Sequence, residues 1–168
     1  ISNITINISS GDGVNFVSVC DNIEINGCNF KLNPTATGTT ACGIKYSGNS
    51  NSPVMGNIRI LNNSFNGGGT GIYIYYTHPN QTAMQNSNKY ITILNNTFNN
   101  IGQYGMYSYY YNKYDSIAYN VFNMRTTSTT QYGCYMYYYN RIDGGFFNNK
   151  ITLNSSSTCY GFYDYYLN

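Results

Sequence analysis

The residues able to do acid–base or nucleophilic chemistry are few and scattered. Six carboxylates occur, Asp12, Asp21, Glu24, Asp115, Asp143 and Asp164, with one histidine, His78. Glycoside hydrolysis needs two carboxylates on one face, about 5 to 9.5 Å apart, and these six fall in different parts of a repeating pattern. Asp21 and Glu24 lie closest in sequence, and both flank the first strong repeat. His78 stands beside Pro79 in a polar stretch with no serine or cysteine placed as its partner, so a surface-loop histidine is expected. Arg59, Arg125 and Arg141 are isolated cations. The five cysteines, Cys20, Cys28, Cys42, Cys134 and Cys159, include no CxxC spacing, so neither a metal site nor a cofactor is expected. They fit small buried residues, or one or two disulfides with an odd thiol left over, Cys134 and Cys159 being the pair that stacking could unite. No catalytic residue is assigned.

The side chain present in quantity is tyrosine, 21 of 168 residues. Phenol rings bind sugars by stacking, or pack against other aromatic surfaces. Their placement is regular. Tyr73, Tyr107, Tyr135 and Tyr163 each stand two residues after a glycine, and Tyr75, Tyr109, Tyr137 and Tyr165 follow two residues later. With Ile72, Met106, Cys134 and Phe162 pointing inward, strand alternation sends both tyrosine sets outward as two ladders. Tyr76, Tyr110, Tyr138 and Tyr166 form a further column at the next corner. Three readings stay open: packing against another copy, binding of a glycan, and ladder stacking that stabilises the sheet itself, with AT-rich coding inflating Tyr, Asn and Ile together.

The elements that must position these rings are themselves repeated. Ile60-Leu61-Asn62-Asn63-Ser64-Phe65 returns as Ile93-Leu94-Asn95-Asn96-Thr97-Phe98, as Ile117-Ala118-Tyr119-Asn120-Val121-Phe122, and as Phe146-Phe147-Asn148-Asn149-Lys150-Ile151, with Ile25 to Phe30 as the first clear copy. The glycine-led runs start at Gly43, Gly71, Gly105, Gly133 and Gly161, spaced by 28, 34, 28 and 28 residues. Each short segment alternates with period two, which predicts strands with one buried face and leaves no room for a crossover helix. One unit cannot bury its apolar face, but stacked units can. Stacking predicts inward columns Ile25-Ile60-Ile93-Ile117-Phe146 and Phe30-Phe65-Phe98-Phe122-Ile151, with parallel pairing between units. Asn63, Asn96, Asn120 and Asn149 are expected to form an asparagine ladder at a turn that needs left-handed backbone, and the glycines to mark a second turn column. Residues 46 to 56, 77 to 89 and 125 to 131 are expected as lateral loops.

These segments resemble the pectin-lyase-like superfamily, and more closely its short parallel β-helix repeats in surface adhesins and periplasmic copper-processing proteins. The resemblance covers residues 22 to 166. It implies an all-β, single-stranded, right-handed parallel β-helix, a solenoid of about six coils over residues 1 to 168. The same superfamily holds lyases, hydrolases, tailspikes and adhesins, so the fold alone implies no activity. The Asn-Thr-Asp, Asp-Asp and Gly-His-Gly strings of its polygalacturonases are absent.

A charged fraction of 8 % and a net charge of +2 leave no basic footprint for nucleic acid. No apolar run reaches the ~20 residues of a membrane span. The chain starts at Ile1, which suggests a processed chain or a piece of a longer one, and both ends resemble continuing strand. Asn62, Asn80 and Asn95 are candidate N-glycosylation sites. The expectation is a non-enzymatic extracellular or cell-surface structural protein that self-associates axially or laterally. A carbohydrate-binding adhesin module is the alternative, and a polysaccharide lyase or hydrolase the third.

Overall fold

A computed structural model describes residues 1–17, 20–51 and 54–167. It is all-β, built from parallel strands in curled sheets, and is compatible with a β-helix-like solenoid. One six-stranded sheet contains Thr5–Asn7, Asn29–Lys31, Ser64–Asn66, Thr97–Ile101, Val121–Met124 and Lys150–Thr152, paired in that order. A second ladder runs through Asp21–Asn26, Gly56–Leu61, Ile91–Leu94 and Lys113–Ala118. A third runs through Val14–Phe16, Cys42–Ser47, Thr70–Tyr75, Tyr104–Tyr109 and Cys159–Leu167. The 17-residue strand Gln131–Phe147 pairs into both and joins them.

The register follows the sequence repeat. Ile25, Ile60, Ile93, Ile117 and Phe146 are successive partners, and so are Phe30, Phe65, Phe98, Phe122 and Ile151. The four phenylalanines stack with centroids 4.7, 4.8 and 4.5 Å apart and are fully buried. Burying each such ring stabilises the fold by roughly 1.5–3 kcal/mol.

The glycine column has a different role from the expected turn. Gly43, Gly71 and Gly105 lie within strands, against the phenylalanine stack. A Cβ on Gly71 would meet Phe98 Cδ1 at 2.4 Å and the Gly105 carbonyl at 2.5 Å. The glycines admit the rings where the third ladder closes on the six-stranded sheet.

The asparagine ladder forms, but the left-handed turn residue is the one before it. Gly27, Asn62, Asn95, Tyr119 and Asn148 have φ of +66°, +55°, +57°, +58° and +53°. That twist turns the next side chain inward, so Asn63, Asn96 and Asn120 are buried and Asn149 is half-buried. Asn96 Oδ1 accepts from the Asn63 backbone N–H at 2.9 Å and from Asn63 Nδ2 at 3.0 Å. Asn96 Nδ2 donates to the Ile60 carbonyl at 2.8 Å and to Asn120 Oδ1 at 3.0 Å. Asn120 and Asn149 repeat the arrangement. Every polar atom in the interior of this ladder therefore has a partner.

Residues 77 to 89 are more ordered than a loop. Asn80 caps the short helix Gln81–Asn86, its side chain accepting from the Ala83 N–H at 2.9 Å. His78 is not at the surface but 1 % exposed, with its ring against the Thr77 hydroxyl and the Tyr111 carbonyl. Ser52 and Pro53 of the first expected loop lie outside the described residues. No disulfide joins the five cysteines, and Cys134 faces Phe162 across the strands while Cys159 faces Gln131, so stacking does not unite Cys134 with Cys159.

Removing a link from the middle of the ladder orphans groups above and below it. Asn96→Ala should cost on the order of 3 kcal/mol in urea unfolding, and Asn149→Ala clearly less, because its site is half open to water. Equal losses would contradict the ladder.

Candidate functional site: the tyrosine face

The outer surface of the third ladder follows from strand alternation. Ile72 and Ile74 point into the core, which leaves Tyr73 and Tyr75 outside. Tyr107 and Tyr109 flank buried Ser108, and Tyr135 and Tyr137 flank buried Met136. Because the strands pair in register, each tyrosine lies over its counterpart. Along Tyr73-Tyr107-Tyr135-Tyr163 the centroids are 5.0, 5.1 and 5.0 Å apart. Along Tyr75-Tyr109-Tyr137-Tyr165 they are 5.5, 4.9 and 4.7 Å apart. The two ladders also lie parallel to each other, with Tyr107 and Tyr109 at 5.9 Å and 3°.

A third ladder on this surface was not anticipated. Tyr104, Tyr132 and Tyr160 stack at 5.2 Å and 5.2 Å, edge-on to Tyr107, Tyr135 and Tyr163. The signal for it is the recurring Tyr-Gly pair at 104, 132 and 160. Lys45 closes the lower end, its Nζ 5.5 Å from the Tyr73 ring centre and 3.3 Å from Asp12.

The corner beyond these ladders is also tyrosine. Tyr76, Tyr110 and Tyr138 stack at 4.6 and 5.0 Å, and Tyr166 follows at 5.9 Å with its ring tilted by 34°. All four are left-handed, with φ of +56°, +58°, +57° and +65°, and Tyr111 and Tyr139 share that region. A left-handed L-residue costs roughly 1–2 kcal/mol, less for asparagine or glycine. The opposite corner uses mainly asparagine and glycine. Tyrosine at this corner is the more costly choice, offset by ring stacking.

Behind the tyrosines lies a second buried polar ladder. Asn112 Oδ1 accepts from the Thr77 N–H at 2.9 Å, and Asn112 Nδ2 donates to Asn140 Oδ1 at 3.0 Å. Ser108 donates to Asn140 Oδ1 at 2.7 Å and lies 2.7 Å from the Tyr114 hydroxyl. As at the first corner, each buried asparagine follows left-handed residues, here Tyr110-Tyr111 and Tyr138-Tyr139. His78 Nδ1 lies 3.0 Å from the Thr77 hydroxyl and 3.0 Å from the Tyr111 carbonyl. Burial lowers its pKa to about 4, so the ring is neutral at pH 7.

Four of the six carboxylates are dispersed in separate ion pairs. Asp12 meets Lys45 at 3.3 Å, Asp21 meets Lys89 at 2.5 Å, Glu24 meets Arg59 at 2.9 Å, and Asp143 lies between Arg141 and Lys113. Among the described residues no group of three or more His, Cys, Asp or Glu side chains is placed to hold a metal ion, and no helix is long and apolar enough to cross a membrane. Asn62 and Asn95, two of the candidate glycosylation sites, are exposed at the first corner. Exposed Asn80 spends its side-chain oxygen on the helix cap.

Within the ladders ring faces turn toward ring faces, so edges and hydroxyls are what the surface offers. Burial first, and then neighbouring phenols, hold these groups protonated. Tyr73 is raised to about 12, and Tyr107 and Tyr135 are raised as well. Comparison with protein-family models, with curated proteins and with solved structures finds no match to this chain.

Between pH 10 and 12 the folded chain holds protons that the unfolded chain releases, so stability falls as pH rises through that window. An absorbance titration should show a class of phenols silent up to about pH 12 and ionising as the fold is lost. Ionisation of all tyrosines near pH 10 with the fold intact would contradict the packed ladders.

Proposed function

We propose that this chain is a right-handed parallel β-helix of about six coils, and that it is a non-enzymatic structural protein of an extracellular or cell-surface assembly. In this reading copies join laterally through the tyrosine face. The parallel sheets and the return of the same residues about every 28 positions support the architecture.

The observation that carries the functional reading is the periodicity of the surface. Tyrosine edges form rows 4.7 to 5.5 Å apart in the two central ladders, set by the strand spacing. A partner fits such rows over many repeats only if its own surface has the same spacing. A second copy has it, and interdigitated rows of this kind form dry interfaces between stacked sheets. With 8 % charged residues, little repels the second copy. A sugar ring, by contrast, binds an open aromatic face, and here ladder neighbours occupy those faces.

The test is light scattering and negative-stain microscopy over a concentration series, comparing the chain with its Tyr109→Ser, Tyr137→Ser double variant. Both side chains point outward, so the variant should keep its sheet spectrum. Oligomers or filaments that grow with concentration, and weaken by tenfold or more in the variant, are expected; this corresponds to about 1.4 kcal/mol or more of contact energy. A chain that stays monomeric throughout overturns lateral assembly. Retention of that monomer on polysaccharide, lost in the variant, would replace it with the glycan-binding reading.

A further inference from the structure

We propose that the stacked tyrosine ladder is also a site of oxidative phenol coupling, where a peroxidase with hydrogen peroxide joins rings of neighbouring strands into dityrosine staples. The pair best placed is Tyr137 and Tyr165, with centroids 4.7 Å apart and ring planes within 10°. Tyr135 with Tyr163 lies at 5.0 Å and 3°, and Tyr73 with Tyr107 at 5.0 Å and 2°.

The geometry suits this reaction. Losing one electron and one proton turns a phenol into a neutral radical. Its unpaired electron occupies π orbitals perpendicular to the ring, with density on the oxygen and on the ortho and para carbons. The para carbon carries the Cβ, which leaves the ortho carbons free to bond. Two such radicals join where those orbitals point at each other, as they do between stacked parallel rings. Strand pairing holds the rings in that approach, so coupling is intramolecular and gains the advantage of proximity and orientation. Tyr165 is 40 % exposed, within reach of an oxidant.

The reaction balances without any further group. Each phenol gives up its hydroxyl hydrogen, and one carbon–carbon bond forms between ortho carbons. The hydrogen on each coupled carbon then shifts to its ring oxygen and restores the aromatic ring. Two hydrogens are lost per link, and hydrogen peroxide takes them up to leave two waters.

The product is a covalent tie between successive repeats in a chain whose five cysteines form no disulfide. Joining Tyr137 to Tyr165 closes a segment of 165 − 137 = 28 residues, constraining the unfolded chain as a disulfide would. Both rings belong to one chain, so the coupling does not depend on lateral assembly.

The experiment treats the full chain with peroxidase and hydrogen peroxide, at a dilution where scattering shows monomers only. Dityrosine fluorescence should appear in a product that remains monomeric on a denaturing gel and is lighter by two hydrogens per link. Peptide mapping should find Tyr137 joined to Tyr165. Tyr165→Phe keeps a stackable ring but removes the hydroxyl, so that link should be lost while the sheet spectrum is unchanged. Tyr119 is the internal control: it is 52 % exposed and its ring neighbour is Phe147. Links that favour Tyr119, links that form only between chains, or tyrosine oxidation without dityrosine would each overturn the proposal. Failure of lateral assembly would show instead in the untreated concentration series.

Discussion

In-register parallel pairing sets the terms for every other interaction in this protein. A side chain at a given position sits about 4.8 Å from its counterpart in the next strand. Each column must therefore hold residues that tolerate, or gain from, contact with their own kind. Phenylalanine on phenylalanine, asparagine on asparagine and tyrosine on tyrosine satisfy this. A column of one charge does not, since like charges 4 Å apart repel by about 4 kcal/mol near a protein surface. Charge appears instead as opposite pairs, such as Glu24 beside its register partner Arg59. Where two cations do face each other, Lys113 and Arg141, the Asp143 carboxylate lies between them.

Two corners translate that constraint into specific residue types. At each, a left-handed residue turns the chain and a buried asparagine follows it. The asparagine meets carbonyls and N–H groups that the bend removes from the sheet. The first corner makes the turn with Asn62, Asn95 and Asn148, for which that backbone is inexpensive. The second makes it with Tyr76, Tyr110 and Tyr138, which extend the aromatic surface around the edge of the sheet. Coding drift toward AT-rich residues would serve asparagine equally well at that corner, so the stacking of the rings themselves is the physical reason for tyrosine there.

Much of this was legible in the sequence because the period is legible. The Ile25 and Phe30 columns, the Asn63 ladder and the Tyr73 and Tyr75 ladders all follow from aligning repeats and alternating inward with outward. The misreadings share a cause: a one-dimensional pattern locates a column but not what stands across from it. The glycine column looked like a turn because nothing in the sequence says that Phe65, Phe98 and Phe122 press against it. His78 looked exposed because its partner across the fold, the Tyr111 carbonyl 33 residues on, is not encoded in its local sequence. The second asparagine ladder was hidden because tyrosines, not asparagines, precede Asn112 and Asn140. What the tyrosine face meets is not written in the period, since the same ladder stabilises the sheet and presents a surface.

Register is the claim on which the whole account depends, and deleting one repeat tests it most directly. Removing residues 105–132 joins Tyr104 to Gly133, the register partner of Gly105 having taken its place, and keeps every inward residue inward. Removing residues 105–133 takes one residue more and turns the following strand over, sending its core residues to solvent. The two shortened chains differ by the single glycine Gly133, so any difference between them is one of register. Thermal unfolding followed by circular dichroism should show a cooperative transition for the first and none for the second. Equal behaviour of the two would contradict the stacked register.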